Sequence, residues 1–304
     1  MKKKTESGMN AEIFLKNRLC LVTAGLLAFI LSACFSTERN NPFDSASTNG
    51  VVKMTLEKSW NGGLGAVFFP TDEAIYSRGF SNGMVLRKWS WDGAILRETN
   101  TGMTPDNEGI VVIGSVVFVL SNQGFVRFDK DSFALLAHWI PAALTIDEFA
   151  VDTNATGETN FYFLIGGSVK RFVYPGLSAV WSRSISANDV VIGSDFKPVL
   201  FRTPENAKLV SYEISDGTTL TTRSNFHIWN GRKLDLGRVR QFGGDYYFSS
   251  LNTAYYFFRL GADDRRDFLN LDPAPVNFRS YRVLAGGKII LYADGKYSIY
   301  KKAD

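Results

Sequence analysis

Nine charged residues recur at spacings that suit a shared binding site. Asp106 and Glu108, then Asp147 and Glu148, then Asp189 stand at or just before apolar runs. Further along, Arg238 and Arg240, then Arg279 and Arg282 hold the equivalent places. Gathered at one opening, an acidic arc facing a basic arc would orient a polar or zwitterionic ligand, or dock a partner loop. Solvated loop charges without a common target are the plainer account of the same residues. Catalytic patterns are scarce. The two histidines, His138 and His227, have no closely spaced His, Cys or carboxylate of metal-site type, so no metal is expected. His138 lies beside Trp139 inside an apolar run, where packing or surface exposure explains it. Neither a G-x-S-x-G elbow nor a Walker loop is present, and Gly166-Gly167 and Gly286-Gly287 read as turns. The Asp box of sialidases is not matched by Ser90 to Leu96 or Ser215 to Leu220, and vicinal cysteines are missing, so no cofactor is expected. Aromatic residues make up 14% of the chain. Trp60, Trp91 and Trp229 could stack on sugar rings, although packing between strands explains them too.

The segments that would position these residues are short and repeated. Second strands are expected to begin at Ala74, Val116, Phe161, Pro198, Asp245 and Lys288, positions separated by 42, 45, 37, 47 and 43 residues. That interval suits one blade of a β-propeller, which needs four antiparallel strands. Turns such as Asn82-Gly83, Asp92-Gly93, Asp216-Gly217 and Asp294-Gly295 supply the positive φ of tight hairpins. Ahead of each second strand stands an apolar run, for example Ala66 to Phe69, Ile110 to Ile113 and Val190 to Ile192. Such runs fit the innermost strands of a ring. No segment has a convincing helical period.

The last unit lacks its fourth strand, and the chain supplies one at the other end. Val52-Lys53-Met54-Thr55-Leu56-Glu57-Lys58 alternates apolar and polar residues and would complete the sheet begun at Lys288. Closure of this kind removes free strand edges. The expectation is an all-β chain folded as a propeller of six four-stranded blades over residues 51–304, with seven blades as the alternative. The apolar strand, D-G-type turn and Trp-bearing strand of Trp89-Ser90-Trp91-Asp92-Gly93 loosely resemble PQQ-like and WD40-like propeller repeats. That resemblance implies architecture, and function does not follow from fold.

The start of the chain carries a different message. Lys16 and Arg18 lead into an uncharged run from Leu19 to Leu31, shorter than a membrane span, which ends in Leu31-Ser32-Ala33-Cys34. This string resembles the lipobox of bacterial lipoproteins. The resemblance implies removal of residues 1–33 as a signal peptide, with translation starting at Met1 or Met9, and lipidation of Cys34. Phe35, where inner-membrane lipoproteins of enteric bacteria carry Asp, implies an outer-membrane anchor. Residues 34–50 are polar and read as a flexible tether.

Charge and cysteine content narrow the partners. Formal net charge is +4, but residues 1–33 carry five basic against two acidic side chains, so the remainder is close to neutral. That weakens the argument for nucleic acid. Cys20 and Cys34 are the chain's two cysteines, so residues 51–304 must hold together by their core. The function expected is a membrane-anchored, non-catalytic module that binds another envelope protein; the alternative is a surface carbohydrate-binding protein or glycan-active enzyme.

Overall fold

A computed structural model describes residues 50–304 apart from 64–66, 122–123, 140–145, 155, 177, 185–186, 194–196, 203–207, 214, 225–227, 230–231, 234–235, 251–256, 262–264 and 304. The expected signal peptide, the lipobox Leu31, Ser32, Ala33, the lipid-bearing Cys34 and nearly all of the tether lie outside the described residues, as does His227. Asp106, Glu108 and Trp229 are described by backbone alone.

Strand β1 runs Val51–Asn61 and is followed by a four-stranded sheet, β2 (Val67–Pro70), β3 (Ile75–Phe80), β4 (Met84–Trp89) and β5 (Ile95–Asn100). The second sheet is β6 (Pro105–Ile113), β7 (Val116–Ser121), β8 (Gly124–Asp129) and β9 (Leu135–His138). The third is β10 (Glu148–Thr153), β11 (Thr159–Ile165), β12 (Ser168–Val173) and β13 (Ala179–Ser184). The fourth is β14 (Asp189–Ile192), β15 (Pro198–Arg202), β16 (Lys208–Tyr212) and β17 (Thr219–Ser224). A small hairpin, β18 (Ile228–Trp229) with β19 (Arg232–Lys233), precedes β20 (Leu236–Phe242), β21 (Asp245–Ser250), β22 (Phe257–Leu260) and β23 (Arg266–Asp272). The chain ends in β24 (Phe278–Val283), β25 (Ile289–Ala293) and β26 (Lys296–Lys302).

The last seven of these strands and β1 share one sheet, in the order β20-β21-β22-β23-β1-β26-β25-β24. The N-terminal strand therefore completes the C-terminal unit. It pairs antiparallel with β26, from Met54 opposite Lys302 to Asn61 opposite Lys296, with a bulge between Leu56 and Lys58. The segment 52–58 thus pairs with the last strand as the sequence required, although Leu56, beside the bulge, is exposed. The first strands of the units touch in cyclic order, β2 to β6, β10, β14, β20, β24 and back to β2. Every unit holds four antiparallel strands, so these inner strands all run in the same sense and open at the same mouth. Among the described residues there is no α-helix, and no helix long and apolar enough to cross a membrane. The architecture is a β-propeller.

Turn chemistry and packing explain why the units form. Asn82-Gly83 and Asp294-Gly295 sit at positive φ (52°, 128°, 51° and 73°), which Asn, Asp and Gly tolerate best. The faces between sheets are filled by aromatic rings. Between the second and third units, Phe118, Phe125, Trp139, Phe161, Phe163 and Phe172 form one buried cluster, with the Trp139 and Phe161 rings 4.5 Å apart. Each such side chain contributes about 1.5–3 kcal/mol on burial. Gly109, on an inner strand, admits this packing: a Cβ there would stand 2.7 Å from Leu120 Cβ and 2.8 Å from Phe149 Cε1. His138 is exposed on the outer strand β9, while its neighbour Trp139 is buried and donates Nε1–H to Pro175 O at 3.0 Å.

Candidate functional site: the channel and its charged mouth

The starts of the inner strands bring four of the nine candidate charges into two ion pairs. Arg240 Nη1 lies 3.3 Å from Asp189 Oδ2, and Arg238 Nη1 lies 3.1 Å from Glu148 Oε1. The second pair links the third unit to the fifth, past the first strand of the fourth. A bulge between Leu236 and Val239 changes the register at the start of β20, beside Arg238. Bulges re-aim side chains in this way where a ladder is interrupted.

Asp189 is the best-anchored member, with only 1% of its surface exposed. Its Oδ1 accepts from Val190 N at 2.9 Å, and its Oδ2 accepts from Val239 N at 2.9 Å as well as from Arg240. One carboxylate thus stitches β14 to β20. Arg240 also donates to Val239 O at 2.7 Å and lies over the Tyr281 ring at 5.7 Å. Arg282 repeats the arrangement one unit on: Nη1 donates to Tyr281 O at 2.8 Å, and the guanidinium lies 5.8 Å from the Phe68 ring centre. Tyr281 is fully buried, which pushes its hydroxyl well above the ordinary range and keeps it a neutral donor. Its single proton is shared between Tyr247 O at 2.7 Å and Arg238 O at 2.8 Å.

Asp147 and Arg279 are exposed, beside the start of β10 and near the start of β24 respectively. Side-chain positions for Asp106 and Glu108 lie outside the described residues, although their backbone belongs to the start of β6. The acidic and basic arcs therefore meet in part by direct pairing. Connections 139–147, from the second unit to the third, and 225–235, from the fourth to the fifth, are the longest between an outer strand and the next inner strand. The latter contains the β18–β19 hairpin.

Inside the ring is a cavity of about 550 Å³, lined by residues from β2, β6, β10, β14, β20 and β24. Its wall is apolar along β6, β10 and β14, from Ile110 to Ile113, Phe149 to Val151 and Val190 to Ile192. Polar lining comes chiefly from Glu148, Arg240, Gln241 and Arg282. The hydrogen-bond network assigns the Gln241 amide: its nitrogen donates to Ile192 O at 3.2 Å and its oxygen accepts from Gly244 N at 3.0 Å. Sequence spacing indicates a central channel with a charged mouth, but not the parts played by Tyr281 and Gln241. The usable signal was the match between Arg240 and Arg282, one repeat apart and each followed by apolar strand.

Two of the three aromatic candidates, Trp60 and Trp91, turn inward. Trp60 is half-buried against Tyr297, with ring centres 5.6 Å apart, and Trp91 donates Nε1–H to Asp72 O at 3.1 Å. Both belong to the packing between the first and last units. Among the described residues no group of three or more His, Cys, Asp or Glu side chains is placed to hold a metal ion.

No family model matches the sequence, and no curated protein matches it significantly. Solved propellers do match the structure. The β-propeller domain of Myceliophteria thermophila Cps50 (Swd1) aligns with a TM-score of 0.54 at 7% identity, covering 82% of this chain and 100% of that one. A catalytically inactive virginiamycin B lyase from Staphylococcus aureus, with quinupristin, gives 0.52 at 12% identity over 81% and 99%. The Neurospora crassa Pan2 WD40 domain gives 0.51 at 8% identity over 83% and 96%. Identities this low show the fold alone.

Proposed function

We propose that the chain is a six-bladed binding propeller, anchored in the outer membrane through a lipid on Cys34, that engages another envelope protein without catalysis. The observation that carries this reading is the convergence of Glu148, Asp189, Arg238 and Arg240 from three inner strands on one mouth of the ring. Asp147 and Arg279 are exposed at the same end. Charged groups so arranged fix the register of a partner and steer its approach more than they add affinity. The Leu31-Ser32-Ala33-Cys34 string supports the anchor, since two or more acyl chains hold a protein durably to a bilayer. A glycan reading would need a carboxylate pair beside an exposed aromatic platform. Instead, Trp60 and Trp91 pack between units, and Glu148 and Asp189 are paired with arginines.

Affinity purification of the full chain from detergent-solubilised envelopes tests the proposal. A stoichiometric protein partner is expected, its recovery reduced at least about tenfold by Asp147→Arg combined with Arg279→Glu. Retention of a glycan on an array, or unchanged recovery by that variant, would contradict it. Globomycin treatment that leaves the chain's electrophoretic mobility and membrane association unchanged would contradict the anchor.

A further inference from the structure

Arg240 and Arg282 share a construction that structural ion pairing alone does not require. They lie on adjacent inner strands. Each donates Nη1–H to the carbonyl of the residue before it, at 2.7 and 2.8 Å. Each lies over an aromatic ring, Tyr281 and Phe68, at 5.7 and 5.8 Å. Both also line the cavity. Two planar cations are therefore held in place by backbone and ring, Arg240 by Asp189 as well, with surface on the lumen. Guanidinium groups carry five N–H donors in a rigid fork that matches a carboxylate.

The other side of the lumen is mostly apolar, and its carboxylate, Glu148 at the start of β10, is paired with Arg238. Val112, Ile113, Phe149, Val151 and Ile192 are half-buried where they line it, so each presents carbon surface to the cavity. A space of about 550 Å³ falls in the range of small-ligand sites, which are mostly apolar with a few polar groups fixing orientation. Gln241 is occupied by Ile192 O and Gly244 N and acts as wall.

We propose that the channel receives the carboxylate-bearing end of an otherwise apolar ligand, with Arg240 and Arg282 facing the carboxylate and the β6, β10 and β14 wall enclosing the apolar part. This rests on the mouth being the binding face and adds the chemistry of what enters it. Such a group exists on medium-chain fatty acids and at the C-terminus of a protein that ends in an apolar residue. Both sources present the same chemistry to the cavity.

Calorimetric titration of the full chain in lipid nanodiscs, with empty nanodiscs as blank, tests the proposal. The probes are octanoate and N-acetyl-leucyl-valine, each against its uncharged amide. At least one acid should bind, and its amide should bind at least about tenfold more weakly, as expected for loss of a charged hydrogen-bond partner. Binding by octanoate alone assigns a free small acid, and binding by the peptide alone assigns a protein C-terminus. Arg282→Met should weaken the acid about tenfold or more and leave the amide nearly unchanged. Ile192→Trp, and independently Val112→Trp on another strand, should fill the lumen and abolish binding, with thermal melting reporting the fold of each. Equal affinity for acid and amide, binding that survives the lumen-filling variants, or no binding by either acid overturns the proposal. Partner recovery measured with the Asp147 and Arg279 variant fails or holds separately, so the two readings can be told apart.

Discussion

Replacing Asp189 by alanine tests the construction of the mouth. The carboxylate is buried to 1% exposure and accepts from Val190 N, Val239 N and Arg240 Nη1. Its removal strands two backbone N–H groups and leaves the Arg240 charge, only 14% exposed, beside the Tyr281 ring without its carboxylate. Removing one partner of a buried pair costs about 3–5 kcal/mol, because the remaining charge stays desolvated. In a domain of this size that lowers Tm by roughly 10 °C, at about 2–4 °C for each kcal/mol. Asp189→Asn keeps an acceptor for Val239 N and should lose about half as much. The double variant Asp189→Ala with Arg240→Ala removes both charges. It should be less destabilised than the two singles together by about 1–3 kcal/mol. Urea denaturation of the four proteins gives these values. A loss under about 1 kcal/mol for Asp189→Ala, or strict additivity in the cycle, would refute the stitching of β14 to β20 through this carboxylate.

Three further outcomes follow from local contacts. Asp152 is buried, its Oδ2 has no hydrogen-bond partner among the described residues, and burial raises its pKa above the ordinary carboxylate range. The native state therefore holds its proton to higher pH than the unfolded chain. The stability this adds at low pH is lost as pH rises through the folded pKa. Asp152→Asn should flatten that slope and raise stability at pH 7–8 by about 1 kcal/mol, and an unchanged pH–stability curve would count against it. Trp60→Ala should cost about 2 kcal/mol in urea denaturation, because the half-buried indole packs on Tyr297 and covers Gly93, whose added Cβ would stand 2.5 Å from Trp60 Cγ. Gly109→Ala forces a methyl group to within 2.7 Å of Leu120 Cβ and 2.8 Å of Phe149, so about 1–3 kcal/mol is expected on thermal melting, and a wild-type Tm would contradict the packing.

Much of the architecture was legible because period and turn chemistry agree. Asn82-Gly83, Asp92-Gly93 and Asp294-Gly295 mark hairpin turns, and the second strands, which begin at Ile75, Val116, Thr159, Pro198, Asp245 and Ile289, start within two residues of the positions expected. The pairing of β1 with β26 was readable because residues 52–58 alternate and the final unit runs out before its fourth strand. The site was less legible. Spacing put Asp189 and Arg240 at one mouth, but which charges touch depends on the bulge in β20 and on side-chain reach across an intervening strand. Neither leaves a mark on composition. The same limit applied to Trp60 and Trp91, whose half-buried packing depends on the first and last units meeting. Outer strands β23 and β1 joining in one eight-stranded sheet is likewise a consequence of closure, invisible in either segment alone.

A photo-crosslinking residue at position 147, exposed beside the start of β10, tests whether the channel mouth is the binding face when compared with one at position 96 on the outer strand β5, where Leu96 is 55% exposed. A discrete crosslinked envelope protein is expected from position 147 and none from position 96. Crosslinks from position 96 with none from position 147 would place the binding surface on the outer rim and contradict the channel mouth as the working face.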